Sequence, residues 1–136
     1  MQTPLKTAIV IGATSGIGRE TARALAARSC RVGITGRRTK LLEELEAERP
    51  GSYLSASFNL TDPDAAERLE DLAARLGRVE LILLCSGTGD FNPDLEYATE
   101  ATTNRLNVDA ITRTADWTYR YQKAKASGRL AALTSV

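Results

Sequence analysis

The chain has 136 residues, and this length predicts a single domain over residues 1–136. Its content of 43% hydrophobic and 26% charged residues is ordinary for a soluble globular protein. A net charge of +1 gives no electrostatic basis for binding nucleic acid or a membrane surface. No apolar run approaches the ~20 residues of a membrane span, and the N-terminus has no signal-peptide core. We therefore expect a cytoplasmic protein. Because the chain lacks histidine, it also predicts no metal site.

The first predicted strand, residues 6–11, is short, apolar and rich in β-branched side chains, as in a strand covered on both faces. Glycines follow at spacing G-x-x-x-G-x-G, and a stretch of helix formers comes next. Glycine lets a phosphate approach the backbone without a Cβ, and a helix N-terminus offers unpaired N–H groups to an anion. This order predicts a phosphate-binding turn with contacts from Gly12, Thr14, Ser15, Gly16, Ile17 and Gly18. The alternative is a glycine turn that only connects the strand to the helix.

Strand and helix patterns then alternate, which is typical of a parallel α/β sheet. Further strands are predicted over residues 31–35, 53–60, 79–84 and 129–134. Further helices are predicted over about 39–48 and about 101–126. Between them, another helix is predicted to begin after a cap at Thr61 or Asp62, with Pro63 in its first turn. The fold class is therefore a Rossmann-like, doubly wound parallel sheet with strand order 3-2-1-4-5 and helices on both faces.

The helices also carry predicted buried faces. In the first helix this face is expected to contain Ile17, Thr21, Ala24 and Leu25, and in the long helix Leu106, Ala110, Trp117 and Tyr121. Two cysteines, Cys30 and Cys85, fall at opposite ends of the predicted sheet. A strand of roughly 17–20 Å separates them, so we expect two reduced thiols.

Two glycine-containing loops are predicted to meet. The turn over 12–18 follows the first strand, and the loop over 85–89 follows the fourth. In the order 3-2-1-4-5 these strands are neighbours, and ligand crevices open at the carboxyl ends of strands where the order reverses. We expect one site between the two loops.

These motifs resemble the short-chain dehydrogenases/reductases. The turn Gly12-Ala13-Thr14-Ser15-Gly16-Ile17-Gly18 is similar to that family's nucleotide fingerprint. Asn59-Leu60 stands where the family has an Asp-hydrophobic pair beside the adenine, and Cys85-Ser86-Gly87 stands where it has Asn-Asn-Ala-Gly. The resemblance covers about the first half of a family member, and it implies that these five residues contact a dinucleotide.

The same resemblance implies part of a catalytic centre. Leu106-Asn107-Val108 is similar to the segment with the family's catalytic asparagine, which implies a water-holding role for Asn107. The segment 128–135 is similar to the strand that ends in the catalytic serine, which implies Ser135. The family moves hydride between nicotinamide and a small carbonyl or alcohol substrate, with a tyrosine as general acid/base and a lysine four residues later.

In the family that tyrosine and lysine lie about a dozen residues beyond the serine, whereas this sequence ends at Val136. We therefore expect no turnover from this chain, either as a fragment of a longer reductase or as a truncated gene product. Two Tyr-x-x-x-Lys pairs, Tyr119/Lys123 and Tyr121/Lys125, precede the serine strand and are interpreted as helix-surface and packing residues.

The cofactor is predicted from the end of the second strand. NAD sites place an acid there to bind the ribose 2′-hydroxyl, but this chain has Gly36 followed by Arg37 and Arg38. A guanidinium pairs with a 2′-phosphate, so the sequence predicts NADP(H). The alternative is that both arginines only cap the sheet surface and start a helix.

The resemblance also implies a homo-oligomer that forms through the 101–126 helix. Without later strands, the fifth strand should be an exposed edge, and Trp117 or Tyr121 should be exposed. A non-catalytic NADP(H)-binding regulatory or assembly module is the alternative function. A methyltransferase-like sheet is disfavoured by the glycine spacing and by Arg37.

Overall fold

The computed structural model describes residues 3–133. Its strands are β1 (Thr7–Ile11), β2 (Arg31–Gly36), β3 (Tyr53–Ser57), β4 (Leu81–Leu84) and β5 (Arg129–Ala132). Its helices are α1 (Gly16–Ala27), α2 (Thr39–Glu48), α3 (Ala65–Leu76), α4 (Tyr97–Asn104) and α5 (Ile111–Ala124). A π-helical segment, Arg105–Ala110, joins α4 to α5.

The five strands form one parallel sheet in the order β3-β2-β1-β4-β5, which confirms the predicted topology. In the central strand, Val10 lies opposite Ile34 of β2 and Leu83 of β4. The side chains of β1 alternate between two hydrophobic cores. Ile9 and Ile11 pack with α3 and α5 on one face, and Ala8 and Val10 pack with α1 and α2 on the other. This double burial explains the continuous apolar run of β1.

The buried face predicted for α1 is wrong for Ile17 and Ala24, while Leu25 packs against the core and Thr21 is half-buried. The residues that α1 buries are Gly18, Ala22 and Ala26, whereas the side chain of Ile17 is 60% exposed and Ala24 is exposed. Small residues face the sheet because α1 approaches it closely. Because Gly18, Ala22 and Ala26 are small, this buried face carries little hydrophobic signal in the sequence.

The start of α3 also differs from the prediction. The helix begins at Ala65 after Asp64, and neither Thr61 nor Asp62 caps it. Their side chains bond the preceding turn instead. The Asp62 carboxylate accepts the N–H of Asn59 at 3.1 Å, and the Thr61 hydroxyl donates to the Asn59 side-chain oxygen at 2.8 Å. Four predicted strands are also shorter. β1 begins at Thr7, β3 ends at Ser57, β4 begins at Leu81 and β5 ends at Ala132.

The predicted long helix is three segments, but its inward face is confirmed. Ala110 and Tyr121 are buried, and Leu106 and Trp117 pack against the same core. The expectation that missing neighbours would expose this face is wrong for Tyr121, which is 7% exposed and accepts the N–H of Val79 at 3.2 Å. Trp117 is half-buried.

The exposed edge predicted at the fifth strand is confirmed. The edge strand β5 is exposed at all four residues. Cys30 is buried, Cys85 is half-buried, and neither forms a disulfide. Within residues 3–133, no helix combines the length and the apolarity that crossing a membrane requires.

Candidate functional site

A cavity opens where β1, β2 and β4 end, at the carboxyl edge of the sheet. Ten of the residues predicted to contact a cofactor line it: Gly12, Thr14, Ser15, Arg37, Arg38, Asn59, Leu60, Cys85, Ser86 and Gly87. Four further lining residues were not predicted as contacts: Thr35, Gly36, Phe58 and Leu106. Segments far apart in the sequence therefore meet in one place.

Strand pairing brings the two glycine-containing loops together. The N–H of Cys85 donates to the carbonyl of Ile11 at 2.8 Å, which extends the β1–β4 pairing into the loops. Gly12 has φ of +90°, and a Cβ there would lie 2.7 Å from the Ser86 hydroxyl oxygen and 2.8 Å from its nitrogen. Only glycine satisfies both the backbone angle and this close approach.

The other two glycines of the turn do not line the cavity. A Cβ on Gly18 would overlap the carbonyl oxygen of Gly12, so Gly18 lets the first turn of α1 lie against the end of β1. Gly16, with φ of +59°, and Ile17 are exposed at the start of α1. Ile17 is therefore not among the residues that line the cavity, and its main-chain N–H belongs to the N-terminus of α1.

Arg38 connects the glycine turn to the loop after β2. Its Nη2 donates to the hydroxyl oxygens of Thr14 at 3.0 Å and Ser15 at 3.1 Å. The Arg37 carbonyl accepts the Ser57 hydroxyl at 3.4 Å, while the Arg37 side chain is exposed. The rim of the cavity thus carries two guanidinium groups beside two hydroxyl groups, an arrangement that attracts an anion.

The floor of the cavity is built by the turn after β3. The side-chain oxygen of Asn59 accepts both the N–H of Thr61 at 3.0 Å and its hydroxyl. Leu60 is 6% exposed and belongs mainly to the core on the α3–α5 face. Asn59 therefore shapes the turn, and Leu60 with Phe58 supplies an apolar surface.

Asn107 lies beside the cavity but does not line it. Its Nδ2 donates to the Thr88 carbonyl at 2.6 Å, and its Oδ1 accepts the Thr88 N–H at 2.9 Å. This side chain ties the loop after β4 to the π-helical segment. Ser135 lies outside the described residues.

The thiol of Cys85 is less acidic than that of an ordinary cysteine. Burial disfavours the thiolate and raises its pKa above the ordinary value. At neutral pH the cavity therefore presents a neutral thiol beside its cationic rim.

A family model described as short chain dehydrogenase matches residues 6–136. The chain belongs to the short-chain dehydrogenase family. The family uses nicotinamide cofactors, NAD or NADP, and acts on small molecules as dehydrogenases and reductases. Both Tyr-x-x-x-Lys pairs of the chain lie away from the cavity. The Tyr121 hydroxyl meets Val79 near the opposite end of β4, and the Tyr119 side chain is 61% exposed.

Curated relatives carry several activities. The chain is 34% identical over 111 residues to a 7beta-hydroxysteroid dehydrogenase of Clostridium sardiniense, covering 77% of the chain and 42% of that protein. It is 31% identical over 139 residues to the 3-oxoacyl-(acyl-carrier-protein) reductase FabG of Escherichia coli, covering 96% of the chain and 55% of that protein. The chain thus spans about half the length of these relatives.

Solved structures show the same fold. A short chain dehydrogenase from Bacillus anthracis superimposes with a TM-score of 0.88 at 23% identity, over 96% of this chain and 57% of that one. A short-chain dehydrogenase from Streptomyces avermitilis gives a TM-score of 0.87 at 27% identity, over 99% of this chain and 51% of that one.

Proposed function

We propose that this chain is the cofactor-binding part of an NADP(H)-dependent oxidoreductase. The whole enzyme transfers hydride between the nicotinamide ring and the carbonyl or alcohol carbon of a small molecule. The observation that carries the proposal is the single cavity that gathers the glycine turn, Arg37, Arg38 and the loop over 85–87.

The pyrophosphate is proposed to bind at the glycine turn. The first intrahelical bond of α1 runs from the Arg19 N–H to the Ser15 carbonyl, so the N–H groups of residues 16–18 precede it. These groups and the hydroxyls of Thr14 and Ser15 are the donors for phosphate oxygens. On this proposal Gly16, Ile17 and Gly18 contribute main-chain atoms only.

The choice of NADP(H) over NAD(H) is proposed to come from the end of β2. Gly36 supplies no carboxylate to bind a ribose 2′-hydroxyl or to repel a 2′-phosphate. The Arg37 side chain is exposed beside the cavity, and Arg38 is already held at its rim. A charge-assisted contact of this kind contributes about 1.5–3 kcal/mol, or roughly ten- to a hundredfold in affinity.

The adenine is proposed to lie against Asn59 and Leu60, and the nicotinamide half against Cys85, Ser86 and Gly87. Asn107 and Ser135 are proposed as catalytic residues. An amide has two donor hydrogens and two acceptor lone pairs. One donor hydrogen and one acceptor lone pair of the Asn107 amide bind the main chain of Thr88. The other donor hydrogen and the other lone pair are left to hold a water.

We also propose a cytoplasmic homo-oligomer. Two free thiols suit a reducing compartment. The surface over residues 101–126, through which the copies are proposed to meet, exposes Val108 and alternates in charge along Arg105, Asp109 and Arg113, the last two of which pair with each other at 3.3 Å. Such alternation allows opposite charges to face each other across a two-fold axis.

A non-catalytic NADP(H)-binding module is the second candidate function. It is favoured by the loop Cys85-Ser86-Gly87, which keeps only the glycine of the family's Asn-Asn-Ala-Gly, and by the distance of both Tyr-x-x-x-Lys pairs from the cavity. Binding without turnover with carbonyl substrates is expected of this chain under both candidates. Turnover by a longer form of the protein would favour the oxidoreductase.

The test of cofactor choice is a fluorescence titration with NADPH and NADH. We expect tighter binding of NADPH, and a loss of roughly tenfold or more in NADPH affinity for Arg37→Ala, with little change for NADH. Arg49→Ala is the matched control, since Arg49 is an exposed arginine outside the cavity. Equal affinity of the wild-type chain for both nucleotides would refute the NADP(H) assignment.

A further inference from the structure

Gly36, the last residue of β2, lies directly against Thr14 of the glycine turn. A Cβ on Gly36 would come closer than 3.0 Å to the Thr14 Cγ2 methyl, a separation that real side chains do not tolerate. The same Cβ would lie 3.5 Å from the Thr14 Cβ and 3.6 Å from its hydroxyl oxygen, which are ordinary contacts. One methyl group therefore decides whether position 36 can carry a side chain.

That methyl group is held in place from two sides. The Thr14 hydroxyl accepts the Arg38 guanidinium at 3.0 Å, so rotating the side chain to move the methyl would break this bond. The N–H groups of Gly12 and Ala13 both donate to the Thr35 carbonyl, at 3.1 and 2.9 Å, which fixes the turn against the end of β2. Neither a rotamer change nor a backbone shift relieves the clash without losing a hydrogen bond.

We infer that Thr14 is a specificity-determining residue, because its methyl, oriented by Arg38, occupies the space that an acidic side chain at position 36 requires. The absence of a ribose-binding carboxylate is then set jointly by the glycine turn and by the loop after β2. Arg38 acts as a positioning residue, and Arg37 is left to read the 2′-phosphate. This division of roles rests on the proposed preference for NADP(H).

One consequence is that Gly36→Asp alone does not convert the site to NAD(H). The new side chain displaces Thr14, disturbs the phosphate-binding turn and weakens both nucleotides. Thr14→Ser removes the methyl and keeps the hydroxyl for Arg38. The double variant Thr14→Ser/Gly36→Asp is therefore the one that gains NADH binding.

The coupling is tested first by thermal denaturation of Gly36→Ala, Thr14→Ser and their combination. We expect Gly36→Ala to lower the Tm by roughly 5 °C or more, Thr14→Ser to change it little, and the combination to recover most of the loss. Thr14→Val, which keeps the methyl bulk without the hydroxyl, does not rescue Gly36→Ala. Gly89→Ala is the control, since a Cβ there meets no atom within 4 Å. A Gly36→Ala variant as stable as the wild type, or no rescue by Thr14→Ser, overturns the inference.

The second measurement is the affinity of two variants, Gly36→Asp and Thr14→Ser/Gly36→Asp, for NADH and NADPH. We expect Gly36→Asp to weaken both nucleotides, and the Thr14→Ser/Gly36→Asp variant to bind NADH roughly tenfold more tightly than Gly36→Asp does. A gain in NADH affinity from Gly36→Asp alone overturns the inference. A wild-type preference for NADH would instead refute the proposed cofactor and leave the stability coupling standing, so the two failures are distinguishable.

Discussion

The side chain of Asn107 and the main chain of Thr88 exchange two hydrogen bonds, of 2.6 and 2.9 Å. They lie nineteen positions apart in the sequence. Asn107 lies in the π-helical segment Arg105–Ala110, a widened turn of the kind that often occurs at functional sites. The pair fixes the loop that leaves β4 and, with it, the Cys85–Gly87 side of the cavity.

Replacing Asn107 should loosen that loop. In Asn107→Ala both hydrogen bonds are lost, each contributing about 0.5–1.5 kcal/mol before solvent exposure is considered. We expect faster hydrogen exchange at the Thr88 amide and weaker nucleotide binding, while the helices exchange as before. Asn104→Ala, an exposed asparagine one turn earlier, is the control. Unchanged exchange at Thr88 would show that the loop holds its shape without Asn107.

The two Tyr-x-x-x-Lys pairs make a second prediction, about stability. The Tyr121 hydroxyl accepts the buried N–H of Val79, and Tyr121→Phe leaves that donor without a partner. An unsatisfied buried donor costs about 1–3 kcal/mol, so we expect a lower free energy of unfolding in urea. Tyr119→Phe should change it by less than about 0.5 kcal/mol, because Tyr119 is exposed. Equal effects from both substitutions would contradict the assignment of Tyr121 to packing.

The fold was largely predictable because each element carries a strong local signal. The continuous apolar run of β1 is typical of a strand that is covered on both faces. The glycine turn after it is typical of a helix that packs closely against the strand. The buried face of α1 was not predictable in this way. Its close contact with the sheet favours Gly18 and Ala22, whose small side chains carry little hydrophobic signal.

The candidate site was also predictable only in part. Residues of the glycine turn and the loop after β4 could be placed together from strand order alone. The contact of Thr14 with Gly36 and that of Asn107 with Thr88 could not be predicted from the sequence. These residues come within reach of one another only in the folded chain. Thr61 and Asp62 show the same limit. Both are good cap residues, but the Asn59 turn uses their side chains.

Cys85 offers a probe of the cavity. Burial raises its pKa, so at pH 8 its thiolate fraction is below that of an ordinary cysteine. We expect slow alkylation by iodoacetamide at pH 8, a rate that rises steeply as the pH is increased, and protection by bound NADPH. Mass spectrometry of the labelled peptide measures each of these.

The matching control is Cys30, which is buried on the α1–α2 face outside the cavity. Its pKa is also raised, first by burial and then by the charge of Glu80. It should alkylate slowly as well, but NADPH should protect it only as far as the nucleotide stabilises the whole fold. Equal protection of Cys30 and Cys85 would argue against nucleotide contact at Cys85.

Gly18 tests the close approach of α1 to the glycine turn. In an exposed helix, Gly→Ala is favourable by roughly 0.5–1 kcal/mol. Here the added Cβ overlaps the Gly12 carbonyl oxygen, a backbone atom that cannot rotate away. Overpacking of this kind costs about 1–3 kcal/mol, so the steric term exceeds the helix preference. We expect Gly18→Ala to lower the Tm and to weaken nucleotide binding by displacing the helix N-terminus, while Gly89→Ala leaves the Tm unchanged. A stabilised Gly18→Ala variant would mean that α1 packs less closely on the turn than the structure shows.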